Sequence, residues 1–145
     1  MNRILIVTSL FFTFSISAKI NASYSDCIKL YGKVLKEVKS KDYAHVQWEI
    51  AEGWVECIFY KGKVVMHSVF RKKPTFTEKE VIKISNKLIG TSVLWKKEKN
   101  KYWAYRSKDY YLLANKRSIT LSKIDLPKDF DEQTKKLNLY PNKKK

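Results

Sequence analysis

From residue 25 onward, hydrophobic and polar positions alternate with two different periods. Ser25-Asp26 can cap a helix, and Ile28, Leu30, Tyr31, Val34, Leu35 and Val38 recur at the spacing of one helical face, with Gly32 as the weak point. Residues 43–70 then read as three antiparallel strands joined by turns at Glu52-Gly53 and Lys61-Gly62. These turns predict a register. The second pairs Phe59 with Val64, Cys57 with Met66 and Val55 with Ser68; the first pairs Ile50 with Val55, Trp48 with Cys57 and Val46 with Phe59. One face then carries Val46, Trp48, Ile50, Val55, Cys57, Phe59, Val64, Met66 and Phe70, an apolar surface fit for a core.

A second helix is expected from Thr77. Thr77 and Glu80 have capping-box spacing, Val81, Ile84, Leu88 and Ile89 supply its buried stripe, and Gly90 stops it. Four further strands are expected over 93–96, 101–106, 110–114 and 119–123. Past Pro127 the apolar patterning fades. A short helix over 130–137 and a basic tail ending in Lys143-Lys144-Lys145 complete the chain. The expected fold is α+β: an antiparallel sheet, formed by a three-stranded and then a four-stranded meander, packed by two helices. The domain spans 23–126, with 127–145 as a basic C-terminal tail.

The N-terminus has a different character. Met1-Asn2-Arg3 is a positive start, residues 4–14 are almost wholly apolar, and small residues follow at Ser15, Ser17, Ala18 and Ala22. That is the layout of a secretory signal peptide over 1–22, cut after Ala18 or Ala22, and it implies export to the periplasm or the extracellular space. A membrane anchor needs about 20 apolar residues, and no later segment of the mature chain supplies a transmembrane span. Tyr24-Ser25-Asp26 before Cys27 lacks the small residue that lipoprotein processing requires.

Composition narrows the choices further. The 145 residues hold 30 Lys+Arg against 14 Asp+Glu, a formal net charge of +16. Removal of 1–22 takes away Arg3 and Lys19 and no acid, leaving +14. With 44% apolar residues the chain has enough material for a core, and disorder is excluded. Lys outnumbers Arg heavily, which suits non-specific attraction to polyanions better than bidentate readout of bases. Nucleic acid is therefore expected only as a non-specific partner. Two Cys and two His are too few for a zinc ribbon or a disulfide-dense miniprotein. No Walker loop, GxGxxG, GxSxG or HExxH occurs, so no cofactor or metal is expected.

Three sets of candidate residues remain. The predicted register sets His67 opposite Glu56, and Glu56 opposite Glu49, with His45 opposite Tyr60. A His–carboxylate row of this kind can hold a general base, and His67/Glu56 or His45 would be the centre of a small secreted hydrolase or nuclease. Second, Lys96, Lys97, Lys99, Lys101, Trp103, Tyr105 and Arg106 interleave cations with aromatics, a combination that binds anionic polymers. Third, Cys27 and Cys57 are expected to form a disulfide in an exported chain. The principal reading is a non-enzymatic exported protein whose partners are polyanions or cell-envelope components; the hydrolase is the alternative. Oligomeric state is not legible.

Leu30-Tyr31-Gly32, Phe59-Tyr60-Lys61-Gly62-Lys63-Val64 and Thr77-Glu78-Lys79-Glu80-Val81, with Gly90, Trp95, Trp103 and Ala114, together resemble a pattern of small exported bacterial proteins. The resemblance covers most of the mature chain. It implies an α+β domain and carries no activity with it.

Overall fold

Gly32 decides where the first helix ends. In the computed structural model, which describes residues 20–89, 96–97 and 103–137, α1 covers Tyr24–Tyr31. Its cap is Ser23, not Ser25. The Ser23 hydroxyl accepts from Asp26 N–H at 3.1 Å, and the Asp26 carboxylate accepts from Ser23 N–H at 3.0 Å. Gly32, at φ +80°, donates its N–H back to the Ile28 carbonyl and breaks the helical path. Val34, Leu35 and Val38, expected on the helix, instead form strand β1 (Val34–Lys39). A register shift between Val34 and Lys36 then sends Val34 and Val38 into different clusters.

The remaining elements are β2 (Tyr43–Ile50), β3 (Gly53–Tyr60), β4 (Lys63–Arg71), α2 (Glu78–Ile89), β5 (Lys96–Lys97), β6 (Trp103–Arg106), β7 (Tyr110–Ala114), β8 (Ser118–Lys123) and α3 (Phe130–Lys136). Among the described residues the strands make one antiparallel sheet of eight, in the order β1-β2-β3-β4-β8-β7-β6-β5. The fold class is α+β as expected. The first meander has four strands because β1 joins it, and pairing of β4 with β8 fuses the two meanders.

Two hairpins depart from their expected registers for separate reasons. At Lys61-Gly62, both residues take positive φ (48° and 75°), and Phe59 pairs with Val64 as expected. Val65 is then an extra residue, so Ile58 pairs with Met66, Cys57 with His67 and Val55 with Val69. Beyond the bulge every β4 side chain changes face. Met66 and Phe70 leave the expected core face and His67 enters it.

At the other hairpin the turn is Ala51-Glu52, and Gly53 already belongs to β3, opposite Ile50. Gly53 serves a close approach rather than the turn: a Cβ there would lie 1.9 Å from the Phe70 carbonyl oxygen. Trp48 consequently pairs with Val55 and Val46 with Cys57. The slip is an even one, so the faces survive, and Val46, Trp48, Val55, Cys57, Phe59 and Val64 are all buried together.

Helices α1 and α2 cover this inner face. Thr77 and Glu80 cap α2 reciprocally, and Val81 and Leu88 pack into a core with Leu112, Ile119 and Leu121. Ile20 is buried in the same core, while Asn21 N–H and Ala22 C=O bond to the main chain of Val64. On the outer face, α3 sets Phe130 and Leu137 against Tyr43 and Val65, and the Tyr43 hydroxyl donates to Asp129 at 2.8 Å. Packed structure therefore continues past residue 126, to Leu137.

Candidate functional site

The His–carboxylate row expected from the sequence is split between the two faces of the sheet. His67 is fully buried under α1, with Nε2 at 2.7 Å from the Tyr31 hydroxyl and Nδ1 without a hydrogen-bond partner. Burial pushes its pKa from 6.5 down to about 4. It faces Cys57 across the strands, whereas Glu56 pairs with Gln47 and Ser68, and Glu49 pairs with Trp54.

The structure does bring His45 to Glu56, at 3.2 Å, although His45 pairs across the strands with Ile58 and not Tyr60. The other ring nitrogen of His45 bonds the Leu137 carbonyl at 3.0 Å. Both ring nitrogens of His45 thus face acceptors of the fold itself. Glu56 also accepts from Trp54 Nε1–H at 2.8 Å and from Gln47 at 3.4 Å. The arrangement clasps the end of α3 to the sheet and orients the Trp54 indole.

Cys27 and Cys57 lie beside one another, both fully buried, but they are free thiols outside disulfide distance. α1 does set Cys27 over β3 as the expected bridge required. The contact is instead a thiol hydrogen bond that lowers the Cys27 pKa, while burial raises that of Cys57. Among the described residues no group of three or more His, Cys, Asp and Glu is placed to hold a metal ion, and no helix is long and apolar enough to cross a membrane.

Of the expected Lys–aromatic cluster, Lys96 and Lys97 form β5, where they pair with Ala104 and Trp103; the side chains of Lys96, Lys97 and Trp103, and Lys99 and Lys101 altogether, lie outside the described residues. Tyr105 packs against the inner core, and the neighbouring Arg106 is exposed at the end of β6.

A different cation–aromatic constellation stands on the outer face. Trp54 and Phe70 are directly opposed on β3 and β4, with ring centroids 5.1 Å apart and planes inclined by 11°. Both are half-buried. Exposed Lys72 and Lys73 follow at the end of β4, and Lys72 Nζ lies 5.8 Å from the Trp54 ring. Arg117 joins them from the β7–β8 turn, whose geometry is fixed locally. The Asn115 side chain accepts from Arg117 and Ser118 N–H at 2.7 and 2.9 Å, and the Arg117 carbonyl accepts from Arg71 N–H at 2.9 Å.

Trp54, Phe70, Arg71, Lys72, Lys73 and Arg117 line a cavity of about 530 Å³. Arg71 is buried beneath it as part of the frame, paired with Glu52 and Glu80 and lying over the Phe76 ring. A second cavity of about 510 Å³ shares Trp54, Lys72 and Lys73 and adds Lys36, Gln47, Glu49 and Glu52. The sequence conceals this site because alternation counted from the turn puts Phe70 in the core. Only the Val65 bulge turns it out beside Trp54. The Lys72-Lys73 pair directly after Phe70-Arg71 was the available signal. Comparison of the chain with protein-family models, with curated proteins and with solved structures finds no match in any of the three.

Proposed function

We propose that this is an exported, non-enzymatic binding protein that holds anionic ligands on the surface around Trp54. One observation carries the reading: a stacked aromatic pair opens onto a cavity edged by Lys72, Lys73 and Arg117, three exposed cations for which no carboxylate partner is seen among the described residues. An indole held in place by Glu56 offers a flat apolar face without having to be ordered on binding. The cations beside it attract phosphate, sulfate or carboxylate groups at long range, and the excess of Lys and Arg over Asp and Glu adds to that field.

The test is retention on heparin as a function of salt. Wild-type protein is expected to show log affinity falling linearly with log salt. The Lys72→Gln/Lys73→Gln/Arg117→Gln variant is expected to lower that slope by about 2, as for two or three lost ionic contacts. Equal elution of variant and wild type overturns the assignment of the site.

A further inference from the structure

Resting on that reading, we infer that the ligand is a linear acidic polysaccharide whose successive sugars lie on the two sides of Trp54. Two cavities of similar size meet at this one side chain, sharing it together with Lys72 and Lys73. Each volume falls within the range of small-ligand sites. A ligand filling only one would leave the junction cations half used, whereas a chain passing over the indole engages both and keeps Lys72 and Lys73 at its middle.

The chemistry of the walls separates a glycan from a nucleic acid. The cavity on the Lys36 side also carries the exposed carboxylates of Glu49 and Glu52, Glu52 being paired with Arg71. A carboxylate repels a phosphodiester backbone, which is charged at every residue, but accepts hydrogen bonds from the hydroxyls of a neutral sugar that alternates with acidic ones. The Arg117 side carries no acidic residue in its lining. One cavity is thus suited to hydroxyls and the other to acid groups, with an aromatic face between them. Lys as the central cation suits carboxylate or sulfate groups of variable orientation, since its ammonium imposes no planar fork.

Calorimetry with hyaluronan oligosaccharides of two and six residues, in which acidic and neutral sugars alternate, and with a six-nucleotide oligothymidylate, decides the matter. The hexasaccharide is expected to bind at least about tenfold more tightly than the disaccharide, because the second cavity is filled intramolecularly. Glu49→Gln on one side and Arg117→Gln on the other, both at exposed positions, are each expected to reduce that gain, and Trp54→Ala to abolish it. Equal affinity for both saccharides leaves anion binding standing and overturns the linear-chain inference. Tighter binding of the oligonucleotide, strengthened by Glu49→Gln, overturns it in favour of nucleic acid. Absence of binding by all three ligands overturns both this inference and the anion-binding reading.

Discussion

An imidazole buried with one nitrogen unpaired is a strong determinant of how this domain responds to acid. His67 titrates near 4 in the fold, because burial disfavours its charged form, against 6.5 when exposed. Between those values the unfolded chain binds the extra proton, so stability is complete above about 6.5 and declines as pH falls toward 4. The full difference corresponds to about 3 kcal/mol. Chemical denaturation across this window is expected to show the loss, and His67→Phe to flatten it; an unchanged slope in the variant would place the acid sensitivity elsewhere. Nothing in the alternation of β4 marks His67 as a core residue. It reads as polar because the pattern is counted from the Lys61-Gly62 turn, and Val65 silently changes the parity.

Among the elements, the hairpins and α2 were legible because their determinants are local: a pair of positive-φ residues at Lys61-Gly62 and a reciprocal cap at Thr77 and Glu80. The core face of β2 and β3 was legible despite a wrong turn position, since a slip of two preserves every face. The β1 strand was not. Val34 and Val38 fit a helical stripe as well as a strand, and only the break at Gly32 with pairing to β2 decides between them. The candidate site was not legible: Lys72-Lys73 carried no reading, and the pairing that sets Phe70 beside Trp54 depends on the Val65 bulge.

Gly53→Ala tests the close approach between β3 and β4. The new methyl meets main chain, which cannot swing aside as a side chain can, so a destabilisation of about 1–3 kcal/mol is expected with loss of the Trp54–Phe70 stacking. Unaltered thermal stability would show that the strands relax freely. Residues 20–22 make a second prediction at this scale. Since Ile20 is buried and Asn21 and Ala22 pair with Val64, processing after Ala18 preserves the packed N-terminal segment, whereas processing after Ala22 removes it. On the proposed export, N-terminal sequencing of the secreted protein is expected to begin at Lys19; a start at Ser23 contradicts this.

Over the whole molecule, excess positive charge and a localised site make different demands on the same titration. If total charge governs retention on an anionic column, neutralising Lys96, Lys97, Lys99 and Lys101 removes four charges and outweighs the loss of three at Lys72, Lys73 and Arg117. If the Trp54 surface governs it, the smaller charge loss gives the larger effect, and that is the expected order. The reverse order, measured in parallel, identifies bulk charge as the determinant. The lysines have another consequence at the rim of the sheet. Among the described residues the sheet is open and β1 is one of its edges, with main-chain groups able to template a strand from another molecule. There the irregularity between Val34 and Lys36 distorts the edge, and exposed Lys36 and Lys39 put charge along it. Replacing both lysines with Thr is expected to permit edge-to-edge polymerisation, visible as thioflavin-positive aggregates at concentrations where the parent stays clear. The cationic excess then acts partly as a guard against fibre growth, independent of any ligand.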